Sequence, residues 1–340
     1  MMSSAAGTTT YGAMDDVELG KEVIVVEEVV DPLIELETRE LTIQTVHSDP
    51  SKEKTLLDGV TCSFSPGTLS AVLGPSGAGK TSLFRALSGR LPASWTRAGG
   101  VWANGLLVYE DEFKEWGSVA PQDDILLKAL TPRELLTYAA LMRGASSLRV
   151  DFVLASLELE PCADTFTEKI SGGQRRRVSL GLELVHAPSV LLADEPTSGL
   201  DARSARLVIE KLKSMATTSK TTAICTIHQP SRDIFETFDK IVVMAKGRIC
   251  FVGHTQAAIS YFNYSHLLKP RHEALLGINA AEAILECVGD DAAAAGDAWR
   301  NHTNIDNDDD DDESEKKKKK SQQIVKHLIP KKILMIQIKE

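Results

Sequence analysis

The sequence predicts an α/β domain whose mainly parallel sheet carries helices on its faces. Short apolar strands alternate with helical segments between residues 190 and 252, and this alternation is typical of parallel strands joined by helical crossovers. An apolar strand at residues 68–73 also leads through a glycine-rich segment into a helix that begins at Lys80. A chain of 340 residues is long enough to bury such a core.

Local patterns place the remaining elements. Thr131, Pro132 and Glu134 form a helix start, with a threonine cap, proline at the first helical position and glutamate three residues on. Strands are predicted at residues 33–46, 56–64, 68–73, 190–193, 222–227, 240–244 and 248–252, and helices at 80–88, 135–142, 150–158, 174–186, 202–215 and 234–238. A turn at Lys246 and Gly247 joins the last two strands.

Composition divides the chain into four parts. Residues 1–32 are predicted to be a disordered acidic tail, 33–262 the main domain, 263–289 a helical appendage and 290–340 a disordered charged tail or linker. The last residues, 324–340, mix Ile, Leu and Lys, which fits either an amphipathic basic helix at a membrane surface or a poorly ordered tail.

Charge and cysteine content exclude several classes of protein. The net charge is −10, and most of it lies in the two ends, so the centre has no basic stripe of the kind that binds nucleic acid. Five scattered cysteines without a C-x-x-C pair argue against zinc and disulfide frameworks. The first residues do not predict a secretory signal, and the sequence has no run of 18 apolar residues.

A phosphate-binding loop is the strongest local signal. It lies between a strand and a helix and consists of Gly74, Pro75, Ser76, Gly77, Ala78, Gly79, Lys80 and Thr81. Glycines allow backbone N–H groups to converge on phosphate oxygens, and the helix that follows directs its positive end at the same anion. Lys80 is expected to contact the β- and γ-phosphates, and Thr81 to bind Mg²⁺.

Two further segments carry polar groups suited to nucleotide chemistry. The apolar strand Val190–Ala193 ends in Asp194, expected to hold Mg²⁺, and Glu195, placed to polarise an attacking water. A turn of Ser171, Gly172, Gly173 and Gln174 opens a helix and forms a second anion-binding device. Because one chain already has one phosphate loop, this turn is expected to cap the nucleotide of a second copy in a head-to-tail dimer.

These motifs together resemble the nucleotide-binding domain of ABC transporters, in which Ser-Gly-Gly-Gln is the signature. The resemblance implies a P-loop NTPase of the ABC type, with a RecA-like parallel-sheet core, an antiparallel β subdomain and a small α-helical subdomain. It also implies that ATP and Mg²⁺ are the cofactors, that Ser82 extends the nucleotide-binding loop, and that Asp201 lies in the segment that crosses the dimer interface. Gln122 and His228 match the positions that contact Mg²⁺ or water and the γ-phosphate, respectively.

Residues 226–239 and 279–282 narrow the resemblance to the G subfamily, the White-type and pleiotropic-drug-resistance transporters. The implied function is ATP hydrolysis that drives export of a lipid, sterol or other hydrophobic substrate. The implied partners are a second nucleotide-binding domain, identical or not, and a transmembrane domain that this chain lacks, with the ATPase domain on the cytoplasmic side of a membrane. The alternatives are a soluble ABC ATPase and a non-transporting regulatory fragment.

Three features depart from the family pattern. No aromatic residue stands where the adenine is often stacked, so an aliphatic contact from Ile43 or Val46 is expected instead. Residues 143–169 form a shorter helical subdomain than usual. No membrane domain follows the element at residues 279–282, in which Ala280 replaces the family's proline, so the chain is expected to be a fragment, a truncated gene product or a subunit that acts in trans.

Overall fold

The computed structural model describes residues 33–47, 49–108, 112–264, 267 and 279–307. The predicted N-terminal tail at residues 1–32 and the part of the predicted 290–340 tail from residue 308 onward lie outside these residues. The strands, in chain order, are β1 (Leu36–Thr45), β2 (Thr55–Phe64), β3 (Leu69–Leu73), β4 (Trp95–Ala103), β5 (Leu106–Leu107), β6 (Gly117–Ala120), β7 (Val190–Ala193), β8 (Thr222–Thr226), β9 (Lys240–Ala245) and β10 (Arg248–Gly253).

The helices surround these strands. They are α1 (Lys80–Leu87), α2 (Phe113–Trp116), α3 (Pro132–Arg143), α4 (Ser147–Ser156), α5 (Gly172–Leu184), α6 (Ala202–Ser219), α7 (Arg232–Thr237), α8 (Thr255–Tyr264), α9 (Ala280–Asp290) and α10 (Ala292–Asn307), with 3-10 turns at Pro50–Lys52 and Glu160–Cys162. Among the described residues, no helix is both long and apolar enough to cross a bilayer.

The larger sheet has the order β10-β9-β3-β8-β7-β6. The strands from β9 to β6 are parallel, and β10 adds to β9 as an antiparallel edge strand. Every residue of β3, β7 and β8 is buried, as expected of strands covered on both faces. The predicted α/β core is confirmed, and the carboxyl ends of its parallel strands meet at one edge, where ligands bind in such sheets.

The smaller sheet is antiparallel and has the order β2-β1-β4-β5. The inward side chains of Leu41, Ile43 and Leu57 are fully buried in it. Strand β4, which the sequence patterns did not predict, contains Gly99 in the left-handed region at φ 67°, where a Cβ atom would lie 2.3 Å from the Glu40 carbonyl oxygen. This glycine lets β4 pass a register shift in β1, and the implied antiparallel β subdomain is present.

A small helical region packs on α5. The predicted helix start at Thr131 is a complete capping box with Glu134. A Cβ atom on Gly181 of α5 would lie 3.1 to 3.2 Å from side chains of Leu136, Val153 and Leu157, so glycine permits close packing of α3 and α4. The α-helical subdomain implied by the resemblance is therefore present.

For residues 292–307, the expectation of a disordered tail is wrong. This alanine-rich segment forms α10, because alanine is the best helix former and the helix has an apolar anchor. The Trp299 ring lies 5.1 Å from that of Phe251 and 5.4 Å from that of Tyr261. Of the helical appendage expected at residues 263–289, the structure describes helix α9. Residues 265–266 and 268–278 of that segment lie outside the described part.

A polar cluster joins the helical region to strand β6. Arg143 donates to Glu183 Oε2 at 3.0 Å and to His186 Nδ1 at 2.8 Å. The Ser118 hydroxyl lies 3.0 Å from Glu183 Oε2 and 3.2 Å from His186 Nε2. Burial, followed by the charges of Arg143 and Arg149, lowers the pKa of His186 to about 4.

This shift predicts loss of stability in mild acid. His186 takes up a proton near pH 6.5 when unfolded but resists protonation to about pH 4 when folded, so the unfolded state binds more protons as the pH falls between these values. With a discount for partial exposure, we expect the free energy of unfolding to fall by about 1 kcal/mol between pH 7 and pH 5. Urea titrations at several pH values should show a flatter profile for His186→Gln. Identical profiles would contradict the assignment.

Candidate nucleotide-binding site

The phosphate loop lies between β3 and α1, as predicted. A Cβ atom on Gly74 would lie 2.3 Å from the Met244 carbonyl oxygen, so the loop passes β9 too closely for any side chain. Gly79 has φ 104° and is the residue before the first turn of α1. These glycines bring the loop backbone against the helix start, where N–H groups and the helix dipole favour an anion.

Lys80 is held inside this loop. Its side chain donates to the carbonyl oxygens of Gly74 at 2.6 Å and Pro75 at 3.1 Å. Burial lowers the pKa of Lys80, and the nearby charges of Glu195 and Asp194 act in the opposite direction. The ammonium group thus lies between the loop and the two carboxylates, where a phosphate would complete its set of acceptors.

Asp194 and Glu195 follow β7 at the carboxyl edge of the sheet. Thr226, at the end of neighbouring β8, donates its hydroxyl to Asp194 Oδ1 at 2.5 Å and accepts the Glu195 backbone N–H at 2.8 Å. Glu195 has a positive φ of 43°, a conformation that non-glycine residues rarely adopt and that clusters at functional sites. The threonine therefore fixes both acidic residues.

Gln122 reaches the same carboxylate from the end of β6. Its side-chain Nε2 donates to Glu195 Oε2 at 2.9 Å. Because β6 and β7 are parallel neighbours, the chain brings these two sequence-predicted residues together although they are 73 positions apart. The hydrogen bond holds the carboxylate in place and leaves its second oxygen for a water.

The oxygen donors fit a magnesium ion. Asp194 offers the carboxylate oxygen Oδ2, which accepts no hydrogen bond from any described residue, and Thr81 offers an exposed hydroxyl at the start of α1. Mg²⁺ favours one or two carboxylates supplemented by hydroxyl, water and phosphate oxygens. Thr81, Asp194 and Gln122 would hold the ion, which would supply charge neutralisation for the phosphates.

His228 borders two clefts. One, of about 460 Å³, is lined by Glu195, His228 and the segment between Thr197 and Gly199. The other, of about 250 Å³, lies between His228 and the phosphate loop, with Glu282 of α9 on its far wall. His228 is exposed, so its imidazole is placed where a terminal phosphate between these clefts could be contacted.

The Ser171 turn caps its own helix. The Ser171 hydroxyl accepts the Gln174 backbone N–H at 3.2 Å, and Gln174 Oε1 accepts the Ser171 N–H at 2.8 Å. A Cβ atom on Gly172 would have only Arg175 Nη2 nearby, at 3.9 Å, whereas one on Gly173 would lie 2.8 Å from Ser204 Oγ. The turn is thus open at Gly172 and packed against α6 at Gly173.

Asp201 caps α6 beside this turn. Its Oδ1 accepts the backbone N–H groups of Arg203 and Ser204, at 3.1 and 3.0 Å, and its Oδ2 accepts the Ser204 hydroxyl at 2.7 Å. The bond from the Ser204 side chain, followed by its backbone N–H, lowers the pKa of Asp201. The same Ser204 contacts Gly173, so the two predicted interface segments are neighbours.

The predicted residues therefore fall into two groups. Lys80, Gln122, Asp194, Glu195 and His228 converge on the phosphate loop. Among the described residues, no hydrogen bond or ion pair joins the Ser171 turn or the Asp201 cap to that loop. This separation is what a composite site between two chains would require.

The expected contact between Ile43 and the adenine base of the nucleotide is wrong. Ile43 is fully buried and cannot reach a nucleotide, because its side chain belongs to the apolar cluster that the smaller sheet shares with α1. Val46, the other residue considered, is 50% exposed and remains available as an aliphatic surface.

Sequence reasoning did not identify Thr226 or assign a role to Arg176. Arg176 stands in a run of three arginines, and nothing in that run distinguishes it. Its burial and its bonds to the segments around Gln122 and Asp194 appear only in three dimensions.

Comparisons with known proteins agree with this fold. The family described as ABC transporter matches residues 57–198. ABC transporter G family member 14 of Arabidopsis thaliana is 42% identical over 236 residues, 66% of this chain and 36% of that protein. Protein white of Drosophila melanogaster is 39% identical over 230 residues, 63% of this chain and 33% of that protein. The structure of cbiO1 from Clostridium perfringens, part of the ABC transporter complex cbiONQ, superposes with a TM-score of 0.59 at 25% identity, covering 72% of this chain and 98% of that one.

The fold and the site thus define an ATP-binding, ATP-hydrolysing domain of the ABC type. Its relatives are G-family transporters and White, at 36–42% identity. The chain therefore carries an ABC transporter domain that is similar in sequence to those of the G family. It spans about a third of the length of the curated relatives that it matches.

Proposed function

We propose that this chain is the ATPase part of a G-family exporter, in which two nucleotide-binding domains close on Mg·ATP. The observation that carries the proposal is the convergence of Lys80, Gln122 and Glu195 at one loop, 2.9 Å separating the latter two side chains. The Ser171 turn stands apart from that loop and would serve a second copy. Lys80 binds phosphate, and Glu195, steadied by Gln122, orients and deprotonates water.

We also propose a membrane domain as partner, on the cytoplasmic side of a membrane. Apolar side chains are exposed on the segment after Gln122 and on α3, where Ile125 is 85% and Met142 81% exposed. Exposed apolar groups of this size mark interaction surfaces when they cluster. The relatives are named as transporters, and the G-family resemblance favours a lipid, sterol or other hydrophobic cargo.

Binding of ATP tests the first part of the proposal. Lys80→Ala removes the ammonium group that completes the phosphate site, and we expect the Kd for Mg·ATP to rise about tenfold or more, the loss of one charge-assisted contact. Calorimetry on the full chain measures it, with Lys128→Ala, an exposed lysine away from the loop, as the control. Equal affinity in both variants would contradict the assignment.

Transport tests the second part. Vesicles that hold the chain together with a G-family membrane domain should accumulate a labelled sterol when ATP is supplied, and Lys80→Ala should abolish this accumulation. ATP hydrolysis that is intact but unaffected by the membrane domain would favour the soluble ATPase instead.

A further inference from the structure

Arg176 is a buried cation between three segments of the active site. It lies in α5, two residues after Gln174, and its side chain is 2% exposed. Nε donates to the Pro196 carbonyl oxygen at 3.1 Å, and Nη2 donates to that of Asp194 at 2.9 Å. The guanidinium therefore holds the backbone on both sides of Glu195.

The same side chain holds the segment after β6. Nη1 of Arg176 lies 2.6 Å from the Pro121 carbonyl oxygen and 3.0 Å from that of Gln122. It also pairs with Asp124 Oδ1 at 3.0 Å. One planar group thus spans the two backbones whose side chains, Gln122 and Glu195, meet in the catalytic hydrogen bond.

The neighbouring arginines have different partners. Arg175 donates to the Ile170 carbonyl oxygen at 2.9 Å. Arg177, also buried, donates to the Leu157 carbonyl oxygen at 2.8 Å, at the end of the helical region, and lies 3.9 Å from Glu158 Oε2. Within this run, Arg176 alone bonds to the segments around Gln122 and Glu195, and Arg177 offers a matched control of similar burial.

The chemistry of these contacts requires a guanidinium. A buried charge is costly unless it is paired and hydrogen-bonded, and here each of the three guanidinium nitrogens donates, to four carbonyl oxygens and one carboxylate in all. The fixed fork of arginine reaches acceptors in several directions at once, whereas the lysine ammonium is a single point of charge. Lysine could satisfy one segment but could not span both.

We infer that Arg176 is a positioning residue for ATP hydrolysis, which couples the Ser171 turn to the catalytic groups of its own chain. Helix α5 starts at that turn, so a displacement of the helix by a ligand there moves the guanidinium and, with it, the backbones of Gln122 and Asp194. The inference rests on the roles proposed above for Gln122, Asp194 and Glu195. If the Ser171 turn caps the ATP that is bound to the partner's phosphate loop, Arg176 links that nucleotide to the catalytic groups of its own chain.

Hydrogen exchange of the full chain tests the positioning directly. Arg176→Lys should speed amide exchange in residues 121–126 and 194–199 and leave residues 157–162 unchanged, because the lost bonds belong to the first two segments. Arg177→Lys should show the reverse. If Arg176→Lys is too unstable to assay, Asp124→Ala, which removes only one partner, should speed exchange in residues 121–126. Wild-type exchange at these segments would overturn the inference.

Turnover provides the second readout. Arg176→Lys should lower kcat about tenfold or more, since small misplacements of catalytic groups are costly, with little change in KM for ATP because the phosphate loop is untouched. Arg177→Lys should retain kcat. Failure of the proposed function would appear as wild-type turnover in Lys80→Ala and Glu195→Gln. Failure of this inference would appear as wild-type kcat in Arg176→Lys while those two variants are inactive.

Discussion

Replacing Glu195 by glutamine is expected to lower kcat for ATP hydrolysis by about 10²- to 10⁴-fold, the contribution of a positioned general base. The amide has nearly the shape of the carboxylate but cannot accept the proton of the attacking water. Gln122 Nε2, which lies 2.9 Å from one side-chain oxygen, can still donate to an amide oxygen. Thr226 holds the Glu195 backbone N–H, so the local geometry should survive the substitution.

The same variant should accumulate an ATP-bound dimer, because the step that opens the sandwich is blocked. Sedimentation velocity at saturating Mg·ATP should show the dimer for Glu195→Gln and mainly monomer without nucleotide. Glu210→Gln, the same chemical change on an exposed residue paired with Arg206, should behave like the unaltered chain. A Glu195→Gln chain that remains monomeric with ATP would rule out an intact composite site.

Replacing Gly172 by aspartate is expected to abolish turnover while leaving the fold intact. The added Cβ has open space, its nearest neighbour being 3.9 Å away, and an acidic residue in the first turn of α5 favours the helix. A carboxylate at the opening of the Ser171 turn would repel the phosphate of an incoming nucleotide. Since the turn is separate from the chain's own phosphate loop, ATP binding by the single chain should persist.

Gly172→Asp should therefore lower turnover without lowering the affinity of the single chain for ATP. We expect kcat to fall about 100-fold or more, because electrostatic stabilisation of the transferring phosphate is lost. Gly289→Asp is the matched control, because this exposed glycine on α9 also has open space for a Cβ atom. Unchanged turnover in Gly172→Asp would show that the turn does not meet a nucleotide.

The central strands and the phosphate loop were predictable because their sequence encodes backbone geometry. Strand Val190–Ala193 is apolar throughout and is buried throughout, so its pattern and its environment agree. The capping boxes at Thr131 and Ser171 join residues three positions apart, and local bonds of this kind can be inferred from spacing alone.

Elements that depend on distant partners were not predictable. Strand β4 carries Gly99 and Gly100, which weaken a strand pattern, yet it pairs along β1 because that edge is available. Strand β6 has four residues and depends on β7 for its pairing. Helix α10 stands next to an acidic run that suggests disorder, but the contacts of Trp299 with Phe251 and Tyr261 and the burial of Ala295 anchor it to distant parts of the chain.

The site shows the same division. Residues in motifs, such as Lys80 and Glu195, could be assigned from the sequence because the spacing of a motif encodes its chemistry. Thr226 and Arg176 position those residues from other elements, and three consecutive arginines look alike until the fold gives each a different environment. The residues that position the catalytic groups could therefore be identified only from the structure.

Mixing two inactive variants tests the shared site most directly. Lys80→Ala lacks a working phosphate loop and Gly172→Asp lacks a working turn, but a mixed head-to-tail dimer has one site with both parts intact. An equal mixture should regain about a quarter of the sites of the unaltered dimer, and turnover should rise accordingly. If the mixture is as inactive as either variant alone, the loop and the turn do not serve one nucleotide between two chains, and the central claim is wrong.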